Sequence, residues 1–579
     1  MIVTSITYKE PPTLPVGKTE YIITCKTYED LQSLYDDMET PGGSLYIPDR
    51  AVDLVHRRAI SRNTHYILSE EEAVEIRKDE RVIACELPAQ KRGIEPIKLW
   101  TQTGDFDKVE ENIDNNDKNW GLYRMIKGDS VSNWGSNSTT EISNKTISTT
   151  ASGKNVDVVI VDEHVRPDHP EFAVNPDGTG GSRVNQFNWF QYKSALGYNS
   201  HPSTYTYSDS AASPNGNHGT HVAGTVAGNR QGWARDANIY NMSFLDSLSG
   251  VTDWDQFLWD YLRYFHKNKA INPETGRRNP TITNHSWGYS SSSRLLSDIT
   301  LVTHRGTTTN VSGYSASAKK TFLEDRLVPV IGNDSSLGFF VYRPPARVAA
   351  VDADIQDAIN DGVIVISAAG NSFWNCEEFG GQDYDNRFVA SPFSYYHSRG
   401  STPSAADNVI CVGAIGAKVA EHKADFSNWG GRVDIWAPGE NIISSMFDNI
   451  QSNDPYPGAV SDPRSVPGQP IYNIGSISGT SMASPQICGI IACLTEQEPN
   501  LTQAEALQHL IENSLPEVGS NGNPTQTPYE GFGDSNNRYS FIPKKRSDDG
   551  MASPAQLHKN RNTSASGVKY PRVRYQTTS

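Results

Sequence analysis

Cysteine is scarce in this chain: six residues in 579 (Cys25, Cys85, Cys376, Cys411, Cys488 and Cys493), no two of them in CxxC spacing. That excludes a disulfide-dense scaffold and the paired-thiol zinc and redox motifs. Five lie in or beside apolar runs, as reduced buried thiols do, whereas Cys376 follows Trp374-Asn375 in a stretch that reads as a polar loop. Long apolar runs are missing too. Nothing reaches membrane-spanning length, so no membrane partner is expected, and residues 1–20 hold no apolar core of signal-peptide length. The expected location is therefore cytoplasmic. Basic charge is in short supply, with 51 Lys and Arg against 67 Asp and Glu, and a net charge of −16 argues against nucleic acid as a partner. What remains is ordinary for a soluble protein with a sizeable core, at 36% hydrophobic and 20% charged residues. The length calls for two or more units.

Three short segments, each at the end of an apolar run, fall in the order Asp, His, Ser: VVIVD closing at Asp162, NGNHGTHVAG around His218, and SISGTSMASP around Ser481. A serine hydroxyl is a poor nucleophile until an imidazole takes its proton. The imidazole in turn needs a carboxylate to fix its tautomer and stabilise its charged form. Ser481 precedes an apolar run, 487–494, that reads as a buried helix. At a helix start, backbone N–H groups favour developing negative charge, although the position also suits a plain capping serine. His218 and His221 are spaced to share a helix face, but no cysteine or glutamate is spaced to complete a metal site, so no metal is assigned. Asp162 closes 156–161, which reads as a buried parallel strand, and 363–371 is a strand running into a Gly-Asn turn.

The words around these residues resemble the subtilisin-like serine proteases (peptidase S8). Gly479-Thr480-Ser481-Met482-Ala483-Ser484-Pro485 is similar to their nucleophile segment, and His218-Gly219-Thr220-His221-Val222-Ala223-Gly224 to their histidine segment. The resemblance implies an α/β fold, subtilisin-like and three-layered, with a mostly parallel central sheet. It also implies a serine endopeptidase acting on protein or peptide substrates through the triad Asp162, His218 and Ser481, with His221 in support. By the same resemblance, the Asn371 amide joins the Ser481 N–H in an oxyanion hole. Thr283-Asn284-His285-Ser286-Trp287-Gly288 is similar to the edge segment that pairs with substrate backbone, so Ser286, Trp287 and Gly288 are candidate binding residues. Trp287 either shapes the pocket or packs in the core. Ala368, Ala369 and Gly370 would form the opposite wall of the pocket for the residue before the cleaved bond. One departure stands out: the family's Asp-Ser/Thr-Gly is replaced by Asp162-Glu163-His164, although Asp168-His169-Pro170-Glu171-Phe172 fits the usual continuation. No cofactor is required for this chemistry; structural calcium, common in the family, has no ligands marked here by motif. Glu377, Glu378, Asp383 and Asp385 follow the oxyanion turn and either favour basic substrates or are simply solvated.

Residues 1–18 read as an extension and 19–88 as a small βαββαβ unit, with strands at 21–25, 44–47, 65–68 and 81–87, a helix at 28–39, and a second opened by a capping box at 69–72. This order, with LSEEEAVEIRKDERVIACEL, resembles the ferredoxin-like inhibitory prodomain of the family, which binds the active site in cis; an unrelated ferredoxin-like module is the plainer alternative. Residues 89–118 form a polar linker with a candidate processing site at Lys91-Arg92-Gly93. The peptidase domain spans 119–515, opens on Asn119-Trp120-Gly121-Leu122-Tyr123-Arg124, and alternates strands with helices. Within it, 289–348 is too long for an ordinary connection and reads as an insertion that either selects substrates or is a solvated decoration. The basic tail, 516–579, either docks on an acidic partner or a virion, or is solvated. FHKNKAINPETGRRNPTITNHSWG and the missing signal peptide also resemble subtilisin-like proteins of tailed bacteriophages, which places the protein in a host cytoplasm or on a virion. The 162–164 departure, the insertion and the tail motivate a rival reading: a protease-shaped structural or binding protein with weak or no turnover.

Overall fold

The computed structural model describes residues 17–51, 63–87, 100–104, 119–126, 145–149, 151–207, 217–243, 254–334, 338–416, 423–449, 460–462, 472–514 and 575–578. The chain divides into two compact units, Met1–Ile97 and Lys98–Ser579.

In the small unit an antiparallel sheet runs in the order Asn63–Leu68, Thr19–Cys25, Val82–Glu86. The helices Tyr28–Glu39 and Glu70–Ile76 each begin with a full capping box, Thr27 with Asp30 and Ser69 with Glu72, which satisfies otherwise orphaned N–H groups. Ile23, Leu31, Leu34, Met38, Tyr66 and Ile76 bury together as its core. The expected strand at 44–47 does not form. Pro41, Gly42 and Gly43 turn the chain, and the Ile47 N–H is drawn to the Met38 carbonyl (2.7 Å), so the segment closes the first helix instead of joining the sheet. Within the expected linker, Trp100–Gly104 is a strand that pairs with Lys145–Thr149, which also pairs with Tyr575–Thr578. The candidate processing site at 91–93 lies outside the described residues, as does nearly all of the basic tail.

The large unit is built on a seven-stranded sheet in the order Ile435–Pro438, Ile410–Ile415, Ile364–Ala368, Thr281–His285, Asp157–Asp162, Asn238–Ser243, Val184–Asn185, with every pairing parallel. Alternation along one strand explains the layers. Val158 and Ile160 point to one core with Val222, Val226, Ile487 and Ile491 from the helices Asn217–Ala227 and Thr480–Gln497. Val159 and Val161 point to a second core with Leu258, Leu262 and Phe265 of Trp254–Asn268, and Val351 and Ile355 of Ala349–Asn360. The result is the expected three-layer α/β fold. Strand order reverses between Asp157–Asp162 and Thr281–His285, and such a switch point opens a crevice at the carboxyl ends of the strands.

The described residues of 289–348 form a lobe with its own strands and helix. Its strands Ile299–His304 and Thr307–Asn310 continue into Arg387–Ala390 and Phe393–Tyr395 as one four-stranded sheet. Leu296, Val302, Leu323 and Val341 form a core together with Trp374 and Phe388 from outside the segment. Cys376 belongs to that core at 5% exposure, which corrects its reading as part of a polar loop: the lobe folds over it.

Candidate active site

Asp162 ends the first central strand and is fully buried. Its Oδ1 accepts from His218 Nδ1 at 2.7 Å and from the Glu163 N–H at 2.8 Å, while Oδ2 is buried without a partner among the described residues. Since only Asp162 faces Nδ1, the proton belongs there, and Nε2 keeps its lone pair for another group. His218 sits in the first turn of Asn217–Ala227 with its side chain 28% exposed. Burial pulls its pKa down, but the charge and hydrogen bond of Asp162 and the charge of Glu163 outweigh that, leaving it above the ordinary imidazole value. Glu163 also caps the helix, its Oε2 accepting from the His218 N–H at 3.2 Å. The helix start lies so close to this strand end that a Cβ at Gly219 would meet the Glu163 carbonyl oxygen at 2.7 Å.

Ser481 is the second residue of Thr480–Gln497, and this helix packs along the histidine helix. Val226 and Gly489 lie equally far past His218 and Ser481, and a Cβ at Gly489 would meet the Val226 carbonyl oxygen at 2.7 Å. Ser481 and Ser286 are reciprocally bonded: Ser481 Oγ donates to the Ser286 carbonyl (3.1 Å), and Ser286 Oγ donates to the Ser481 carbonyl (2.9 Å). The Ser481 hydroxyl is therefore bonded to Ser286 and not to His218. Asn371 follows the Ile364–Ala368 strand, and its Oδ1 accepts from the Thr480 N–H (2.8 Å) and hydroxyl (2.7 Å). That bond pair turns the Asn371 amide nitrogen, which donates to no acceptor among the described residues, toward the segment leading into Ser481.

A cavity of about 340 Å³ opens beside Ser481. It is lined by Ser286, Trp287 and Gly288 on one side and by Ala368, Ala369, Gly370 and Asn371 on the other. The Thr281–His285 strand itself is interior, with a parallel neighbour on each side, so the edge-strand reading applies only to its extension from Ser286 onward. Trp287 does both of the things weighed for it, packing on the second core and lining the cavity. His221 is buried with Nε2 on the Ile442 carbonyl (2.7 Å), and burial lowers its pKa to about 3, so it is a neutral structural residue. No group of three or more His, Cys, Asp or Glu residues poised to hold a metal occurs among the described residues. The acid cluster does not line the cavity: Asp383 pairs with Arg305 (2.8 Å) and Asp385 with Arg399 (2.5 Å). Sequence reasoning missed Asn428, whose side chain holds the turn that carries Asn371 by donating to the Ala369 carbonyl (2.8 Å) and accepting from the Trp374 N–H (2.9 Å). No periodicity or spacing marks it. Also missed are Tyr342, Arg343 and Pro345 of the lobe, which line the cavity from the far side.

The model of the subtilase family matches residues 153–533. The subtilisin-like serine protease Pen c 2 of Penicillium citrinum is 25% identical over 431 residues, covering 73% of this chain and 65% of its own length. The subtilisin-like serine protease Cla h 9.0101 of Davidiella tassiana is 26% identical over 455 residues, covering 76% of this chain and 62% of its own length. The chain thus spans just under two thirds of these relatives. The crystal structure of a cold adapted subtilisin-like serine proteinase superposes with a TM-score of 0.40 at 19% identity, over 73% of this chain and 97% of that one.

Proposed function

Because the chain belongs to the subtilase family, we propose that it is a serine endopeptidase in which Asp162, His218 and Ser481 hydrolyse peptide bonds through an acyl-enzyme. The observation that carries this reading is the bond from His218 to the buried Asp162 at the strand-order switch, with the histidine helix packed along the helix that begins at Ser481. Rotation about the Ser481 Cα–Cβ bond releases its hydroxyl from the Ser286 carbonyl and offers the proton to His218 Nε2. Oγ then attacks the substrate carbonyl, and the Ser481 N–H and the free Asn371 amide take up the charge on its oxygen. Asp162 stabilises the imidazolium without itself taking the proton. His218 returns the proton to the leaving amine, water enters, and the same steps release the acid. The walls 286–288 and 368–370 receive the side chain of the residue whose carbonyl is attacked. The small unit, on its resemblance to a prodomain, restrains this site until it is cleaved away.

A second reading, a protease-shaped binding protein with weak turnover, is favoured by one observation, the Ser481–Ser286 bond. Hydrolysis of denatured casein by the full chain separates the two. Proteolysis that disappears in Ser481→Ala supports the enzyme. Equal activity in both proteins, or none in either, removes it.

A further inference from the structure

The proposed function leaves open which side chain the cavity beside Ser481 accepts, and the lobe answers with charge. Of the described residues that line the cavity, Arg343 alone carries a formal charge. Everything else there is neutral, with Ser286, Ser290, Ser372 and Ser401 among the polar members. In a protein of net charge −16, this cleft carries one cation and no carboxylate.

Arg343 is set in place by its backbone. The Trp374 indole N–H donates to the Tyr342 carbonyl at 3.0 Å, and the Ser291 N–H donates to the Pro344 carbonyl at 2.7 Å. The Ala346 N–H closes the other side on the Tyr289 carbonyl (3.1 Å), and the Arg343 N–H donates to Ser293 Oγ (3.2 Å). Arg343 itself has φ +35, a conformation that side-chain-bearing residues rarely adopt and that the surrounding bonds must over-determine. The two prolines that follow stiffen the segment further.

The guanidinium of Arg343, an exposed residue, has no anionic partner among the described residues, and its Cζ lies 5.5 Å from the centroid of the Tyr342 ring. Other arginines have partners: Arg305 pairs with Asp383, Arg399 with Asp385, and Arg294 with the Tyr395 hydroxyl. A planar fork of donors at the mouth of a polar cavity matches a carboxylate, which can accept two of its N–H groups at once.

We propose that Arg343 selects an acidic side chain, glutamate or aspartate, in the substrate residue whose carbonyl Ser481 attacks. The inference rests on the proteolytic reading above and names its substrate class.

The test is to map the cleavage sites that the full chain makes in a mixture of denatured proteins, by mass spectrometry of the new termini. Matched peptides then give kcat/KM with Glu, Gln, Leu or Lys at the cleaved residue. Wild type is expected to prefer Glu over Gln by roughly tenfold or more, the size of a charge-assisted hydrogen bond. Arg343→Gln brings that ratio close to one, and Arg343→Glu turns the preference toward Lys. Cleavage by wild type mainly after apolar or basic residues overturns the inference while leaving the protease intact, and so does a Glu-to-Gln ratio unmoved in Arg343→Gln. Absence of any cleavage overturns the proteolytic reading and the inference together.

Discussion

Asp162 turns one carboxylate oxygen to His218 and buries the other with no donor among the described residues. Such a charge is costly to the fold and useful to the imidazole. Asp162→Asn should therefore lower kcat by ~10⁴, because the amide holds the wrong tautomer, without lowering the thermal midpoint; a stability loss with kcat retained would count against the role. Glu163 has a separate effect. Its charge helps raise the His218 pKa, and the base works only when neutral, so the acid limb of kcat/KM should fall above the ordinary imidazole value of about 6.5. Glu163→Gln removes that charge, lowers the pKa and moves the limb to lower pH. A limb that stays put would show that Glu163 acts only as a helix cap. Asn371→Ala should reduce kcat by ~10²–10³ with KM little changed, read from steady-state kinetics. Asp162, His218, Ser481 and Asn371 are legible as candidates through the family resemblance of the words around them, since a strand end or a helix start by itself equally suits a cap or a turn. Arg343 is not, because nothing local tells that a residue deep in a long lobe returns to the cleft.

Elements meet here through small residues, and the cost of enlarging one can be read from its surroundings. Gly219→Ala forces a methyl against the Glu163 carbonyl, so it should lower stability by roughly 1–3 kcal/mol and displace His218, reducing kcat as well. Gly313→Ala meets nothing within 4 Å and should be near neutral in thermal melts; equal losses at both positions would undo the packing argument. The parallel strands and amphipathic helices are legible because period and length agree along each of them. The segment 44–47 misleads because four residues between Gly43 and Pro48 carry strand-like composition, yet turn chemistry on both sides ties them to the preceding helix. The edge reading of 283–288 does not apply to 283–285 for a different reason: whether a strand is interior depends on neighbours distant in sequence.

At the scale of the whole molecule, all six cysteines are buried thiols outside any disulfide. Burial raises the thiol pKa of Cys25 and Cys85 to about 11 and of Cys376 to about 12, so native protein should react negligibly with a thiol reagent at neutral pH. Denatured protein should titrate six thiols; fewer would mean a disulfide. The three-layer body is implied by the family resemblance together with the alternation of strands and helices, whereas the core that 289–348 shares with 374–395 is not, because its sheet takes strands from 387–395. The most direct measurement of the central claim is peptide mapping of the full chain after exposure to a fluorophosphonate probe. A nucleophilic Ser481 predicts one adduct, on the peptide holding that residue, sharply reduced in His218→Ala and absent in Ser481→Ala. An adduct on another serine, or an unmodified Ser481 in protein shown to be folded, would contradict it.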